Sequence, residues 1–293
     1  MESKTEIGYG MFIVAFVDLL GQKERLARLG HPPDGNDKAA MEEFGKHVRS
    51  TYGAVRGFRT LFRSFFDGFV QRNAPTEMLT PQQRAVYEKA TNPQIGIQTF
   101  SDCMAIFMPL RPQEDAQLPI RGVTGILYSL AGMQAIQLSL RIPLRGGVAI
   151  GPGFAASNYE IYGPVLAKAY ELESSIAQYP RVVIDKSVEE YLASYGSCDG
   201  DEPLTKMARG VAESAIKYLI RDADGHAILD YLGPNYLPAL LDAGNGVGYD
   251  IVQKAKSFVV EESVRLKNER KTKEAFRYSM LRSYFEYRLG ALE

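Results

Sequence analysis

The sequence predicts an α+β fold in which an antiparallel-rich central sheet is flanked by helices. An apolar run at 11–17 ends in Asp18 and indicates a strand buried on both faces. Residues 95–110 have the pattern of a β-hairpin. Apolar residues recur at helical spacing in two further segments, 38–70 and 119–141. The order of strand, helix, hairpin, helix and further strands is that of a ferredoxin-like core with additions. Polymerase palms share this architecture, so the fold alone does not fix the reaction.

The segments before the hairpin are predicted to be mainly helical after the first strand. Residues 22–29 are predicted as a helix and 31–36, rich in proline and glycine, as a loop. The long helix at 38–70 is expected to break near Gly53 and Gly57.

Four arginines lie along this long helix. Arg49, Arg56 and Arg63 are spaced seven residues apart, and Arg59 lies beside them. A solvated basic face is the simpler interpretation. The alternative is that one or two of them reach a bound triphosphate, because the planar fork of arginine suits phosphate.

The rest of the chain alternates strands and helices. An insertion at 73–94 with a short helix at 82–89 leads to the hairpin, whose turn is at Ser101-Asp102. A loop at 111–117, a helix at 119–141 ended by Pro143, a strand at 144–150 and a loop at 151–157 are predicted to follow. The last predicted elements are a helix at 163–178, a strand at 182–184, a hairpin at 218–232 and one or two helices within 250–289. We expect a first domain at 1–195 and a C-terminal extension at 196–293 packed on it.

Composition narrows the class of protein. The chain has 293 residues, is 45% hydrophobic and has a formal net charge of −1, so no global charge favours nucleic acid or a membrane. The N-terminus lacks the layout of a signal peptide, and Asp18 interrupts the apolar run well short of a membrane span. The two cysteines, Cys103 and Cys198, form no disulfide or metal pattern, and Cys103 is predicted to be a core residue. These features predict a soluble protein of a reducing cytoplasm.

Two acids are placed where a metal site can form. Asp18 follows a buried strand and Asp102 lies at the hairpin turn, so neighbouring strands can present both carboxylates to one place. Hard cations such as Mg²⁺ and Mn²⁺ prefer oxygen ligands of this kind. Gly21 lets the backbone turn tightly just after Asp18, so that successive N–H groups can point at an anion. A solvated aspartate in an ordinary turn is the alternative for this stretch alone.

Four short motifs in order resemble the class III nucleotidyl cyclases. They are Asp18-Leu19-Leu20-Gly21, Ser101-Asp102, LRGGVAIG at 144–151 and YEIYGPVLAKAYELE at 159–173. The family carries Asp-Ile-x-Gly-Phe, Gly-Asp, Arg-x-Gly-Ile-His-x-Gly and Asp-x-Trp-Gly at the corresponding places. The resemblance covers roughly residues 8–185 and implies a palm-type catalytic core.

The resemblance implies a role for each motif. Asp18 and Asp102, helped by the Leu19 carbonyl, would bind two Mn²⁺ or Mg²⁺ ions that activate the ribose 3′ hydroxyl for attack on the α-phosphate. The N–H groups of the glycine turn, at Leu20, Gly21 and Gln22, would hold the phosphates. The nearby cations Lys23 and Arg145 would also contact them. The resemblance also implies a homodimer with sites at the subunit interface, the metal acids coming from one subunit and the base-binding Gln98 and Glu160 from the other.

The chain departs from adenylate cyclases at the base and ribose positions. Gln98 replaces the lysine that reads adenine, and Glu160 stands where the family has its second base reader, an aspartate. Ala167 and Glu171 replace the family's asparagine and arginine, so Lys168 or an arginine of the first long helix is the candidate transition-state cation.

This combination resembles the bacterial pyrimidine cyclases of Pycsar anti-phage systems. It implies conversion of UTP to cyclic UMP and pyrophosphate as a second messenger, with CTP and cyclic CMP as the alternative. Loss of the asparagine and arginine leaves a catalytically inactive cyclase-like nucleotide sensor as another possibility. A palm-type nucleotidyltransferase is a further alternative, although the near-neutral charge argues against a nucleic-acid substrate.

Overall fold

The computed structural model of the chain describes residues 8–22, 30–71, 77, 79–90, 93–110, 119–156, 160–242 and 244–290. The predicted loop at 111–117 and, apart from Gln22, the predicted helix at 22–29 lie outside these residues. No helix in the described part is long and apolar enough to cross a membrane.

The described residues form eight strands and nine helices. The strands are β1 (Gly8–Leu19), β2 (Gly96–Phe100), β3 (Cys103–Pro109), β4 (Leu144–Ala155), β5 (Ile161–Tyr162), β6 (Val182–Ile184), β7 (Leu219–Arg221) and β8 (Ala227–Leu229). The helices are α1 (Lys38–Val70), α2 (Pro81–Ala90), α3 (Pro119–Ser139), α4 (Pro164–Glu171), α5 (Lys186–Gly196), α6 (Pro203–Ile216), α7 (Leu237–Leu241), α8 (Val247–Asn268) and α9 (Thr272–Leu289). A π-helical turn, Leu172–Ile176, continues α4.

The strands form one mixed sheet with the order β2-β3-β1-β4-β6-β8-β7, and β5 pairs with β4. β4 and β6 are parallel, and the other paired strands are antiparallel. The order β1-α1-β2-β3-α3-β4, with α2 inserted before β2, is the β-α-β-β-α-β pattern of a ferredoxin-like unit. The mixed α/β character and the C-terminal helices agree with the predicted class.

β1 lies at the centre of the sheet and is buried on both faces, as the sequence predicts. Ile13, Ala15 and Val17 belong to the larger core, which packs against α1, α3 and the C-terminal helices. Val14 and Phe16 belong to a smaller core covered by α4. Because side chains alternate along a strand, Asp18 projects from the face that α4 covers.

Three predicted elements differ in the structure, and further helices were not predicted. α1 is one continuous helix through both glycines; Ala54 and Val55 between them pack against the core, and the Phe58, Phe62 and Phe66 rings stack in the core just after them. The loop predicted at 151–157 is wrong for 151–155, where β4 continues and pairs with the first residues of β1. The helix predicted at 163–178 changes to π geometry at 172. α5 and α6 were not predicted from the sequence.

The C-terminal helices are tied to the sheet through a buried acid. Asp230 is only 4% exposed and lies just after β8. Arg288 of α9 donates from Nε to Asp230 Oδ1 at 2.8 Å, and the Tyr284 hydroxyl donates to the same oxygen at 3.1 Å. Because a charged group is costly to bury without a partner, these bonds fix α9 relative to the sheet.

Gly147 of β4 sits where α4 passes into the π-helical turn. A Cβ atom at Gly147 would come within 2.4 Å of Leu172 Cβ and 2.5 Å of the Ala169 carbonyl oxygen. The close approach that glycine allows therefore sets the position of this turn over the sheet.

We expect Gly147→Ala to destabilise the protein by about 1–3 kcal/mol, because the added methyl group overpacks a backbone contact. Gly57→Ala is the matched control. Gly57 lies inside α1 with open space around its Cβ position, so the same change should stabilise the helix by about 0.5–1 kcal/mol. Urea unfolding of the two variants tests this, and equal effects would contradict the close-packing explanation.

Candidate active site

Two aspartates meet where β1 ends. Asp102 follows Ser101, whose φ of +56° forms the tight hairpin turn, and the Leu19 N–H donates to the Asp102 carbonyl oxygen at 3.3 Å. Asp18 is opposite Cys103 in the β1–β3 register. Ligand atoms of Asp18, Asp102 and Cys103 all lie within 4.8 Å of one another. The structure therefore brings together the two carboxylates that the sequence singled out.

The electrostatics of this cluster favour a bound cation. Burial raises the pKa of Asp18 above its usual value, and the Asp102 carboxylate raises it further. A hydrogen bond from the Cys103 thiol and the charge of Arg145 act in the opposite direction. Two carboxylates held this close repel each other, and a cation between them removes that repulsion.

Cys103 packs against the smaller core as a partly buried residue and also contacts the acids. It is half-buried, and its Sγ donates to Asp18 Oδ1 at 3.3 Å. Burial, together with the neighbouring Asp18 charge, raises the pKa of this thiol far above its ordinary value, so it stays protonated. Here the thiol is a hydrogen-bond donor to Asp18, and the hard donors of the cluster are the carboxylate oxygens.

This donor set fits a hard divalent cation. Mg²⁺ and Mn²⁺ take oxygen ligands and usually keep several positions for water and phosphate. Asp18 and Asp102 would hold such an ion, and the Leu19 carbonyl is the third ligand that the sequence suggested.

Arg145 connects the acid pair to a second buried carboxylate. It lies opposite Asp18 in the β1–β4 register, and its Nη2 is 3.6 Å from Asp18 Oδ2. Its Nε donates to Glu173 Oε1 at 2.6 Å. Glu173 lies in the π-helical turn and is 3% exposed, and burial raises its pKa while Arg145 lowers it. Arg145 was predicted to contact phosphate, but here most of its charge is engaged by Glu173.

The predicted phosphate turn has the expected backbone shape. Gly21 has a φ of +84°, a conformation that favours glycine. The Leu20 N–H is not available to a phosphate, because it donates to the Pro143 carbonyl oxygen at 2.8 Å. Gln22 is 1% exposed, and its side-chain amide has no hydrogen-bond partner in the described part of the chain. Lys23 lies outside the described residues.

The two predicted base-binding residues lie side by side at the edge of the sheet. Gln98 of β2 accepts a hydrogen bond from the Ile161 N–H at 2.9 Å, so its Oε1 is used and its NH₂ group remains a donor. Glu160, directly before Ile161, is exposed and accepts from the Tyr162 hydroxyl at 3.2 Å. Gln98 pairs with Ala105, which lies in the smaller core, so Gln98 shares a face with Asp18.

Lys168 is not brought to the acid pair within one chain. Its ammonium lies 3.4 Å from Glu171 Oε2 and 4.0 Å from Asp185 Oδ2. These three side chains line a separate cleft of about 620 Å³ that also contains Arg221.

The arginines of α1 also lie away from the acids. Arg59 and Arg63 line an open cleft of about 770 Å³ together with Ile97, which packs against the larger core on the opposite face from Asp18. Within the described chain, a solvated basic face is thus the better interpretation of this stripe.

Sequence reasoning missed two features of the site. Glu173 is the last residue of the fourth motif, but the sequence alone does not predict its contact with Arg145. That contact requires the π-helical turn and the position of β4. The residues of α8 and α9 that face the Leu20–Gly21 turn carry no local signal of function.

Comparison with known proteins finds distant likeness among solved structures alone. No family model and no curated protein matches the chain. Among solved structures, it is similar to the adenylyl cyclase CyaB from P. aeruginosa, with 14% sequence identity, coverage of 64% of this chain and 83% of that chain, and a TM-score of 0.36. At that TM-score the likeness supports no conclusion about activity, and the proposals below rest on the residues themselves.

We expect Glu173→Ala to lower the free energy of unfolding by about 3 kcal/mol, because it leaves the guanidinium of Arg145 largely buried without its main partner. Glu171→Ala is the matched control. Glu171 is exposed two residues earlier and pairs only at the surface with Lys168, so its loss should cost less than about 1 kcal/mol. Urea denaturation compares them, and similar small losses would show that the Arg145–Glu173 pair contributes little.

Proposed function

We propose that this protein is a nucleotidyl cyclase with a palm-type, class III core that converts UTP to 3′,5′-cyclic UMP and pyrophosphate. The observation that carries the proposal is the meeting of Asp18 and Asp102, from neighbouring strands, within reach of one cation. The adjacent glycine turn, with Gly21 at positive φ, supports a phosphate site at the same sheet end. The order of the four sequence motifs supports the class.

The chain's own residues have distinct tasks in this reaction. Mn²⁺ or Mg²⁺ ions held by Asp18 and Asp102 would lower the pKa of the ribose 3′ hydroxyl and neutralise phosphate charge. The N–H groups of Gly21 and Gln22 orient the triphosphate, and Arg145 lies beside Asp18 to contact it. The 3′ hydroxyl gives its proton to solvent water, its oxygen forms a bond to the α-phosphorus, the bond from that phosphorus to the bridging oxygen breaks, and pyrophosphate leaves.

The donor and acceptor pattern at the sheet edge is compatible with a pyrimidine base, and the choice of UTP rests mainly on the motif resemblance. Gln98 offers an NH₂ donor, because its carbonyl oxygen is used by Ile161, and ionised Glu160 offers acceptors. Uracil presents a carbonyl beside its N3–H, which matches a donor beside an acceptor. Cytosine can match the same pair with N3 and its exocyclic amine, so CTP is the alternative substrate. A role of the cyclic product in cytoplasmic anti-phage signalling rests on the motif resemblance alone.

We expect Asp18→Asn and Asp102→Asn each to lower cyclase activity by at least about 100-fold, because an amide binds a divalent ion far more weakly than a carboxylate. Cys103→Ser is the control, since a hydroxyl can still donate to Asp18 and activity should be retained. The assay incubates each variant with Mn²⁺ and one of the four nucleoside triphosphates and separates the products. Cyclic AMP or cyclic GMP as the main wild-type product would contradict the pyrimidine assignment.

We also propose that the active site forms between two copies of the chain, with the acids from one and Gln98 and Glu160 from the other. The surface next to the acids supports this, because Phe100 and Tyr170 are 43% and 54% exposed there and both contact Phe16. Exposed aromatic side chains of this kind are enriched at protein interfaces.

Mixing inactive variants tests the shared site. An equal mixture of Asp18→Asn and Gln98→Ala should recover about a quarter of wild-type activity, because half of the dimers are mixed and each mixed dimer has one intact site. A mixture of Asp18→Asn and Asp102→Asn is the control and should recover none, since both acids belong to the same half-site. The measurement is cyclic nucleotide formed after exchange of subunits, and no recovery in the first mixture would place each site within one chain.

One observation favours a second candidate, a nucleotide sensor that binds a triphosphate without turnover. Arg145 is engaged by Glu173 and Lys168 pairs with Glu171, so neither of these two predicted cations is free to stabilise a transition state within one described chain. Release of pyrophosphate separates the two functions, because a sensor would bind UTP and release none.

A further inference from the structure

The Leu20–Gly21 turn faces a cleft formed with the C-terminal helices. This cleft measures about 280 Å³ and is lined on the core side by Leu20, Gly21 and Arg145 and on the other side by residues of α8 and α9, including Arg265 and Arg277. Pockets that enclose a whole drug-sized ligand are usually about 300–1,000 Å³. The cleft is therefore of a size for a phosphate tail rather than for an entire nucleotide.

Arg277 is distinguished from the other cations of the cleft by its lack of a counter-charge. Arg145 bonds Glu173, and Arg265 donates to Glu262 at 2.8 Å and to Glu269 at 2.7 Å. Within the part of the chain that the structure describes, Arg277 makes no hydrogen bond or ion pair, although it is half-buried. A guanidinium that is partly removed from water without a carboxylate partner can gain free energy from an anion.

The position of Arg277 is fixed by the packing of α9. Its neighbour Tyr278 contacts the Phe258 ring edge-on at 6.1 Å, and Leu281 one turn later is fully buried. The bonds from Arg288 to Asp230 hold the far end of the helix. Arg277 is thus presented to the cleft by a rigid element, which lowers the entropy cost of binding through it.

More cationic than acidic side chains line the cleft, which favours an anion there. The carboxylates on its wall are Glu262, which Arg265 neutralises, and Glu274, which is exposed. Lys271 adds a further cation at the wall, although it also lies 3.0 Å from Glu269.

We propose that Arg277 of α9 binds the terminal phosphates of the nucleotide, so that the C-terminal helical pair completes the phosphate end of the active site. This rests on the proposed function for the identity of the nucleotide. The planar guanidinium can bond two oxygens of one phosphate group.

The test measures binding of inorganic tripolyphosphate by isothermal titration calorimetry in the presence of Mg²⁺. Arg277→Ala should weaken binding by about 10- to 100-fold and Arg277→Lys by less, because loss of one charge-assisted bond removes that much affinity. Lys273→Ala is the control, since Lys273 is an exposed cation of the same helix that does not line the cleft. Arg277→Gln replaces Arg277→Ala if thermal unfolding shows that the alanine variant is not folded. Equal binding by wild type and Arg277→Ala, no binding by wild type, or an equal loss in Lys273→Ala would overturn the inference.

A second readout separates this inference from the proposed function. In the cyclase assay, Arg277→Ala should raise KM for UTP about as much as it weakens tripolyphosphate binding, with a smaller change in kcat. If wild type forms no cyclic nucleotide but Arg277→Ala still loses tripolyphosphate, the cyclase proposal fails and the phosphate site stands. If wild type is an active cyclase whose KM is unchanged in Arg277→Ala, the inference fails and the cyclase proposal stands.

Discussion

The register of β1 between its two neighbours is the constraint on which the site depends. Asp18 is opposite Cys103 in one neighbour and opposite Arg145 in the other. A shift of one residue would turn Asp18 to the opposite face, into the apolar core that packs against α1 and α3. The side chains of β1 belong alternately to two cores, with Ile13 in the larger and Val14 in the smaller, so a shift of one residue would place each side chain in the core that it does not fit.

The charge cluster that this register creates explains what the site can accept. Asp18 and Glu173 pair with Arg145, and Asp102 lies beside Asp18, so the acids outnumber the cation. Under the proposed function, a divalent ion would balance these carboxylates as the phosphates approach. The cation next to the glycine turn without a partner in the described chain comes from α9 instead.

Local patterns in the sequence were sufficient for the elements that carry the two acids. The apolar run before Asp18 and the polar break at Ser101-Asp102 mark a buried strand and a hairpin turn without knowledge of the rest of the fold. The extension of β4 to Ala155 could not be read in this way, because residues rich in glycine and proline form a strand there only through pairing with β1. The same holds for Glu173, whose role depends on a π-helical turn, and for Arg277, which meets the glycine turn from a distant helix. Long-range register and helix docking leave no periodic signal in one sequence.

The buried contact between α9 and Asp230 also determines how the molecule opens. If α9 detached alone, Asp230 would stay enclosed among apolar residues with neither Arg288 nor the Tyr284 hydroxyl to compensate its charge. That penalty makes fraying of the helix as rare as loosening of the strands, so helix and sheet behave as one cooperative foldon. The backbone amides of α9 should exchange with deuterium as slowly as those of β8, a rigidity unusual for a peripheral helix.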